Sequence, residues 1–297
     1  MSLLPFQHIS IIGLGLIGGS LAMAIKSRFP DIRLQGIDPS EETLQYALKS
    51  NVVDEVSLSL PETFADNHLI VIACHLKQSL EVLRSLAPRV QNKSIIVSDI
   101  GSCKRKICAL GDDLLPGQFI GGHPMAGRET SGIQNATSLM FSDKRYLLCP
   151  SDKTPSEALA KLETLISGIG SHIRHIDPDT HDRIMAYVSH FPQLYATLLA
   201  GVLKNNKPSQ LMQYQGAGLD DQMRLAGSPY AMWQDVFEQN ADNVAEVLAQ
   251  FGQAVEAARQ SLTSGKVVDL SDTFANANAI YQSWLDFKQS PMVINNK

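Results

Sequence analysis

A glycine-rich turn with the spacing G-x-G-x-x-G occupies residues 13–18, directly after the apolar run of residues 8–12. In a strand-turn-helix unit, Gly13 makes the tight turn, Gly15 lets the backbone approach a pyrophosphate, and Gly18 lets the helix pack against its strand. The free N–H groups at the start of that helix attract phosphate charge. The sequence therefore predicts a dinucleotide site that uses Gly13, Gly15, Leu16, Ile17 and Gly18.

Two further positions fit the same site. Asp38 ends a predicted strand over residues 34–37 and lies twenty positions after Gly18. A carboxylate at this position accepts hydrogen bonds from the ribose hydroxyls and repels a 2′-phosphate, so it favours NAD over NADP. Cys74 follows a predicted strand over residues 69–73, and we expect it to line the cofactor cleft.

Candidate catalytic residues follow the next two predicted strands. Ser102 comes after residues 94–98, at the start of a predicted helix, where it can act as the N-cap and also face the nicotinamide. His123 lies in a glycine- and proline-containing loop, at the sheet edge where open α/β folds bind their ligands. A neutral imidazole there can accept a proton from a substrate hydroxyl while hydride leaves the same carbon. We therefore expect His123 to act as the general base.

The elements that must position these residues alternate between strand and helix. Strands are separated by predicted helices over residues 43–49, 77–86, 102–110 and 156–166. This alternation is typical of a Rossmann-type, doubly wound parallel sheet. From residue 178 onward only helical periodicity is found. The expected organisation is an NAD-binding Rossmann domain over residues 1–177 and an all-helical domain for substrate binding and dimerisation over residues 178–297.

The first helix of the second region, predicted over residues 180–203, has two different faces. An apolar stripe is predicted to pack in the core and consists of Ile184, Val188, Phe191, Tyr195, Leu198 and Val202. The opposite face is predicted to form a cleft wall and consists of Asp182, Ala186, Ser189 and Gln193. Pro192 cannot donate to the carbonyl of Val188, so a kink is expected beside His190 and Gln193 that opens room for a ligand.

Two more helices complete this region. A helix predicted over residues 232–264 carries a heptad-like apolar seam from Phe237 to Leu262, which either packs within its own domain or forms a subunit interface. The last helix, predicted over residues 271–288, offers Phe274, Ile280 and Trp284 for burial.

The composition argues against several classes of protein. The net charge of −5 and the pI near 5.9 give no long-range attraction for nucleic acid or an anionic membrane, so an anionic substrate needs a local cationic anchor. The four cysteines have no C-x-x-C spacing, which predicts reduced thiols in a cytoplasmic protein and no metal site. We expect neither an export signal nor a membrane-spanning segment.

Seven separated segments together resemble the prephenate dehydrogenase family, which includes arogenate and cyclohexadienyl dehydrogenases. The segments are residues 13–20, 99–104, 121–127, 180–182, 189–192, 223–226 and 232–235. The resemblance implies NAD-dependent oxidative decarboxylation of prephenate to 4-hydroxyphenylpyruvate in tyrosine biosynthesis, with arogenate as an additional substrate. It also implies a cytoplasmic homodimer formed through the helical domain.

The resemblance also implies roles for individual residues. His123 would hydrogen-bond the ring hydroxyl, and Ser102 would orient both that hydroxyl and the nicotinamide. Arg224 would bind a substrate carboxylate, Asp182 would be its acidic partner, and Trp233 would shape the side-chain end of the pocket. We add to the substrate site His190, Gln193 and Gly218, the last in the glycine-containing segment before Arg224.

Gln193 departs from the family pattern, because many relatives have a second histidine at this position, in the order Ser-His-x-Pro-His. An amide has both donors and an acceptor, so Gln193 can serve the keto acid side chain of prephenate or the ammonium group of arogenate.

Two other functions fit parts of this sequence. The first is a β-hydroxyacid dehydrogenase, which also has a Rossmann domain followed by helices. That family has a catalytic lysine on the first helix of its second domain, where this chain has His190 and Gln193. A nonenzymatic NAD-sensing module would not need His123, Ser102 and Arg224 at one cleft.

Overall fold

The computed structural model describes residues 4–64, 68–91, 94–128 and 130–289, and eight strands among them form one sheet. The strands are β1 (His8–Ile12), β2 (Arg33–Ile37), β3 (Glu55–Ser57), β4 (His68–Ile72), β5 (Ile95–Asp99), β6 (Phe119–Pro124), β7 (Arg145–Cys149) and β8 (His172–His175). Their order across the sheet is β3-β2-β1-β4-β5-β6-β7-β8. The strand order therefore reverses between β1 and β4, which is where open α/β sheets bind ligands.

The first six strands run parallel to one another, and β7 runs antiparallel to β6. The helices are α1 (Leu16–Arg28), α2 (Glu41–Lys49), α3 (Leu76–Val90), α4 (Arg105–Leu114), α5 (Ser156–Gly168), α6 (Pro178–Met185), α7 (Phe191–Lys204), α8 (Pro208–Leu211), α9 (Ala217–Ala226), α10 (Tyr230–Gln239), α11 (Ala241–Thr263) and α12 (Ser271–Gln289). The predicted fold class, a Rossmann-type sheet followed by helices, is confirmed.

The core lies on both faces of the sheet. One apolar cluster packs under α1, α2 and α5, and the other packs under α3 and α4. Strands β4 and β5 are buried along their whole length, as expected for central strands covered on both sides. The three-residue edge strand β3 is only half-buried, and its weak pattern explains why the sequence did not predict it.

The predicted single helix over residues 180–203 is interrupted. Helix α6 ends at Met185, residues 186–190 form a π-helical turn, and α7 begins at Phe191, with Pro192 in its first turn. The predicted apolar core stripe is wrong for the single chain, because Ile184, Val188, Leu198 and Val202 are 40–61% exposed. The buried side chains lie on the face that was predicted to be a cleft wall, and they include Asp182, Ala186 and Gln193.

The predicted helix over residues 232–264 is also two helices. Helix α10 ends at Gln239, and α11 begins at Ala241. The residue between them, Asn240, has φ −122° and ψ 27°, so its backbone leaves the helical conformation, and it is fully buried. The predicted seam is therefore broken near its start.

Contacts divide the chain into two units, one ending at Ala241 and one beginning at Asp242. The second unit contains most of α11, a 3₁₀ turn over Val267–Leu270, and α12. The predicted burial of Phe274, Ile280 and Trp284 is wrong for the single chain, because these side chains are 75%, 73% and 47% exposed. In the described residues, every helix is too short or too polar to cross a bilayer.

Candidate active site

The glycine turn after β1 has the geometry that its spacing predicts. Gly13 has φ +95°, and a Cβ at this position would lie 2.7 Å from the carbonyl oxygen of Ala73 on the neighbouring strand connection. A Cβ at Gly18 would lie 2.0 Å from the Gly13 carbonyl oxygen, so only glycine allows α1 to start this close to its strand. A Cβ at Gly15 would meet no atom within 4 Å, so the turn opens onto free space there.

Asp38 holds this turn in place. Its carboxylate accepts hydrogen bonds from the backbone N–H of Leu14, at 2.9 Å, and of Ser40, also at 2.9 Å. Leu16 and Ile17 form the first turn of α1, directly after Gly15. The half-buried thiol of Cys74 donates to the carbonyl of Ile12 at 3.4 Å. Burial and the nearby charge of Asp38 raise the pKa of Cys74 to about 11, so this side chain is a neutral thiol at pH 7.

A buried carboxylate connects the segments that carry Ser102 and His123. Asp99, at the end of β5, accepts from Gly101 N at 2.8 Å and from Gly122 N at 3.1 Å. These two glycines directly precede Ser102 and His123. Lys104 forms an ion pair with the same carboxylate, and both side chains are almost fully buried. Asp99 therefore ties together the backbone directly before Ser102 and the backbone directly before His123.

Ser102 is not an N-cap, because α4 begins three residues later, at Arg105. It lies half-buried in the turn between β5 and α4. The first N–H groups of α4 are capped by a side chain distant in sequence. Asp182 accepts from Lys104 N at 2.7 Å and from Arg105 N at 3.0 Å. The turn that carries Ser102 is thereby tied to helix α6.

His123 is the first member of a chain of three polar side chains. Its Nδ1 lies 2.9 Å from Nε2 of His181, and Nδ1 of His181 lies 2.8 Å from Oδ1 of Asp182. His181 and Asp182 are 0% and 1% exposed, whereas His123 is half-buried. Nδ1 of His123 thus contacts His181, which together with Asp182 forms a buried pair on α6.

The electrostatic environment keeps the imidazole of His123 neutral. Burial, followed by the neighbouring His181, Lys104 and His190, lowers the pKa of His123 well below its usual value. Burial also lowers the pKa of His181, against the opposing effect of Asp182. For Asp182, burial raises the pKa, but hydrogen bonds from His181 and from two backbone N–H groups outweigh it, and the pKa is lowered. A neutral histidine at this position can accept a proton at pH 7.

A second buried histidine joins the same cluster. Asn240 donates from Nδ2 to the carbonyl of Asp182 at 2.7 Å, and this atom lies 3.0 Å from Nδ1 of His190. The ring of His190 meets Trp233 edge to face, with centroids 6.2 Å apart. Its Nε2 is buried without a partner among the described residues, and burial lowers its pKa to about 4. His190 therefore holds one uncommitted N–H next to the candidate site.

Comparison with known proteins identifies the family. The family model for the nucleotide-binding domain of prephenate dehydrogenase matches residues 21–175, and the model for the prephenate dehydrogenase dimerization domain matches residues 177–276. The chain belongs to the prephenate dehydrogenase family. The resemblance that the motifs predicted is confirmed.

Individual relatives of the family cover most of the chain. A prephenate dehydrogenase of Bacillus subtilis (strain 168) is 32% identical over 285 residues, which are 95% of this chain and 76% of the relative. A cyclohexadienyl dehydrogenase of Zymomonas mobilis is 30% identical over 263 residues, covering 87% of this chain and 89% of the relative. The crystal structure of Aquifex aeolicus prephenate dehydrogenase with hydroxyphenyl propionate and NAD⁺ has the same fold, with a TM-score of 0.85 and 24% identity over 94% of this chain and 98% of that one.

The remaining family positions lie on α7 and α9. Arg224 is exposed in the last turn of helix α9, with Gly218 in the first turn. Gln193 is 4% exposed and donates from Nε2 to the carbonyl of Leu225, next to Arg224, at 2.9 Å. This bond orients the amide, because the reverse orientation would set two oxygens against each other; it does not use the second N–H or the carbonyl oxygen of the side chain. Gln193 thus links α7 to the turn that carries Arg224.

Sequence reasoning missed four residues of this cluster: Asp99, Lys104, His181 and Asn240. Three of them lie within or beside segments that the family resemblance picked out, but each was passed over because it neighbours a more conspicuous residue. A buried ionisable residue leaves no periodic signal of its own. Nothing in the segments of these residues indicates their contacts, so no signal of their own could have found them.

Proposed function

We propose that this protein oxidises prephenate with NAD, releases the ring carboxylate as carbon dioxide and forms 4-hydroxyphenylpyruvate, and that it also accepts arogenate. The observation that carries the proposal is the position of His123. It is a neutral imidazole at the carboxyl end of β6, on the sheet edge that also carries the glycine turn after β1. Membership of the prephenate dehydrogenase family supports the same reaction.

The described residues fit a bound dinucleotide. The open space at Gly15 and the free start of α1 would receive the pyrophosphate, and Asp38 has oxygen lone pairs to offer the ribose hydroxyls. Gly13, Leu16, Ile17, Gly18 and Cys74 would complete the binding surface. When bound, NAD supplies the hydride acceptor.

His123 and Ser102 would handle the ring hydroxyl. The imidazole takes the hydroxyl proton as hydride leaves the carbinol carbon, and it returns that proton to the same oxygen when loss of carbon dioxide makes the ring aromatic. Ser102 would orient the hydroxyl, which is supported by the bonds that Asp99 accepts from the backbone N–H groups directly before both residues. Because the protein carries a net charge of −5, the dianionic substrate needs a local cation, and the guanidinium of Arg224 would bind a carboxylate.

The other substrate contacts would come from the cluster around α7 and α10. His190 offers its uncommitted Nε2–H, Trp233 packs against it, and Gln193 and Gly218 border the segment of Arg224. Asp182 would act through its neighbours, since its carboxylate is already bound by α4 and His181.

We further propose that the chain works as a cytoplasmic homodimer, with a nucleotide-binding domain over residues 1–177 and a helical domain over residues 178–297. The exposed apolar side chains of Val188, Leu198 and Val202 on α7 and its π turn support an interface there. The family's dimerization domain covers the same region. All four cysteines are free thiols, which supports a reducing compartment.

The test is a direct assay of NADH formation with the purified protein, using prephenate and arogenate in parallel. Prephenate is expected to give 4-hydroxyphenylpyruvate and carbon dioxide in equal amounts with NADH. A parallel series with NADP should give a much lower kcat/KM, because of Asp38, and Asp38→Ser should narrow that difference. A small 3-hydroxy acid serves as the control for the alternative dehydrogenase. NADH formation from that control but from neither dienyl substrate would contradict the proposal.

A further inference from the structure

We propose that His181 and Asp182 are a positioning pair that fixes the tautomer of His123, so that Nδ1 carries the hydrogen and Nε2 presents its lone pair to the substrate. The inference rests on the proposed function, in which His123 is the proton acceptor. It adds two residues that touch neither substrate nor cofactor and that act through the ring of His123.

The pair is anchored at the start of α4. The backbone N–H groups of Lys104 and Arg105 donate to Oδ1 and Oδ2 of Asp182, at 2.7 and 3.0 Å. These two bonds hold the plane of the carboxylate, because each engages a different oxygen. The side chain is 1% exposed, so no bulk water competes for the remaining lone pairs.

Hydrogen-bond donors and acceptors then alternate along the chain. An ionised carboxylate has no hydrogen to donate, so Nδ1 of His181, 2.8 Å from Oδ1 of Asp182, must carry one. In a neutral imidazole the other nitrogen is then an acceptor. Nε2 of His181 lies 2.9 Å from Nδ1 of His123, so the hydrogen of His123 must sit on that Nδ1. The lone pair of His123 is left on Nε2.

Burial is the main cause that favours the neutral form of both imidazoles, against the opposing effect of Asp182 and Asp99 on His181. The ammonium of Lys104, paired with Asp99 beside β6, disfavours a second positive charge on either ring, and His190 acts in the same sense on His123. Arg105 faces Asp182 from the first turn of α4, with Nε 3.9 Å from Oδ2. The ionised form of Asp182 is therefore favoured by its neighbours, and the two imidazoles are neutral.

In the proposed proton transfer, only the hydroxyl proton of the substrate moves. The substrate hydroxyl gives its proton to Nε2 of His123 as hydride leaves the carbinol carbon, and the resulting imidazolium keeps Nδ1–H directed at His181. Asp182 stabilises that positive charge through His181. Without the pair, His123 could also populate the tautomer with hydrogen on Nε2, which cannot accept the proton.

The first experiment measures the tautomer directly in the unaltered protein. Histidine ring nitrogens are labelled with ¹⁵N, and the signals of His123 are assigned by their loss in His123→Asn. We expect a protonated Nδ1 and an unprotonated Nε2 for His123 at neutral pH, without any ligand. A protonated Nε2 in the resting protein would overturn the proposal, whatever the activity.

The second experiment compares two substitutions of His181. Glutamine has a donor and an acceptor, so His181→Gln can still donate to Asp182 and accept from His123, whereas His181→Leu can do neither. We expect kcat to fall roughly tenfold to a hundredfold in the leucine variant, and by less than about tenfold in the glutamine variant, with little change in KM. His175→Leu, which removes an exposed histidine of β8 paired with Glu163 of α5, is the matched control and should retain the original kcat.

The outcomes separate this inference from the proposed function. Equal loss of kcat in both His181 variants, with unchanged tautomer and NAD affinity, would show a packing role and contradict the positioning role. Unchanged kcat in His181→Leu would contradict it as well. If the leucine variant does not fold, the tautomer measurement still decides. A protein with the expected tautomer that forms no NADH from either dienyl substrate would contradict the proposed function while supporting the pair.

Discussion

The sheet and the helices that follow it distribute polar and apolar side chains in opposite ways. Strands β4 and β5 are buried throughout, and most of their side chains are aliphatic. Helices α6 and α7 bury His181, Asp182 and Gln193, while the apolar side chains of Val188, Leu198 and Val202 are 49–61% exposed. The sheet buries its apolar side chains in the core of its own chain. Helices α6 and α7 instead bury their polar side chains, beside the candidate active site.

The difference shows that an amphipathic helix does not by itself tell which face is internal. Burial of apolar surface contributes about 25 cal/mol per Å², whether the surface that covers it comes from the same chain or from another one. Buried polar groups are tolerated where their hydrogen bonds are satisfied, as those of Asp182 are by three N–H groups: the backbone N–H groups of Lys104 and Arg105, and Nδ1–H of His181. A helix in a dimerising enzyme can thus turn its apolar face outward and its polar face toward the chemistry.

The difference between the two regions can be tested by making the same substitution in each of them. Val71 in β4 is 3% exposed, and Val202 in α7 is 61% exposed. We expect Val71→Asp to lower the free energy of unfolding by about 4 kcal/mol or more, because it buries a charge without a partner. Val202→Asp should change the stability of the isolated chain by less than about 0.5 kcal/mol and weaken self-association instead.

Chemical denaturation and light scattering at several protein concentrations measure the two effects. Thr197→Asp, on an exposed part of the same helix α7 but without apolar surface to lose, is the control for added charge. If Val202→Asp unfolds the chain as Val71→Asp does, or if it leaves the oligomeric state unchanged, the outward face of α7 is not an interface.

The next prediction concerns the polar cluster itself. We expect His123→Asn to lower kcat by roughly 10²- to 10⁴-fold, because asparagine cannot take the hydroxyl proton, while NAD affinity changes little. His172→Asn, which alters a histidine hydrogen-bonded to Asp143 instead, is the matched control. Steady-state kinetics and NAD titration give the two quantities. Full activity of the asparagine variant would remove His123 from the mechanism.

The two regions also differ in how far the sequence predicts them. The strand β1 and the glycine turn follow from an aliphatic run and three glycines, because their physical constraint is local: Gly13 needs a positive φ, and Gly18 has no room for a Cβ. Pro192 correctly marked a disturbance of its helix, which the structure shows as a π turn. Both features can be predicted without reference to residues far along the chain.

The polar cluster depends on such distant residues, and it could only be predicted in part. His123 was found because it follows a strand in a glycine-rich loop. His181 was not, because its importance comes from a contact across 58 positions, and nothing in its own segment indicates that contact. The break at Asn240 is similar, since its side chain bridges Asp182 and His190 only in the folded chain. The apolar stripe was placed inward because the sequence does not show which surface another copy would cover.

A smaller effect is expected for Arg224, which lies between the two kinds of surface. It is exposed on α9, but the neighbouring Leu225 carbonyl is bound by the buried Gln193. Arg224→Ala should mainly raise KM for prephenate, because it removes a charged hydrogen bond worth about 1.5–3 kcal/mol of binding free energy. The free energy of unfolding should change little. Arg183→Ala, another exposed arginine of the helical region, is the control. Loss of stability without a change in KM would make Arg224 a structural residue.

The smallest expected effect comes from Gln193, the buried polar residue that replaces a histidine of many relatives. One N–H of its amide donates to the carbonyl of Leu225, which leaves the second N–H and the carbonyl oxygen for a ligand. The oxygen can accept from the ammonium of arogenate, and the second N–H can donate to the keto oxygen of prephenate. In Gln193→His, a protonated imidazole donates from both ring nitrogens and offers no acceptor to the ammonium of arogenate. We expect the ratio of kcat/KM for prephenate to that for arogenate to rise about tenfold, the lower end of the range for a hydrogen bond to a charged group, while the free energy of unfolding changes little. Gln222→His, at an exposed position of α9, controls for the added imidazole. An unchanged ratio with intact stability would mean that Gln193 holds α7 to α9 without reading the substrate, and discrimination between the two side chains would then fall to His190 or Arg224.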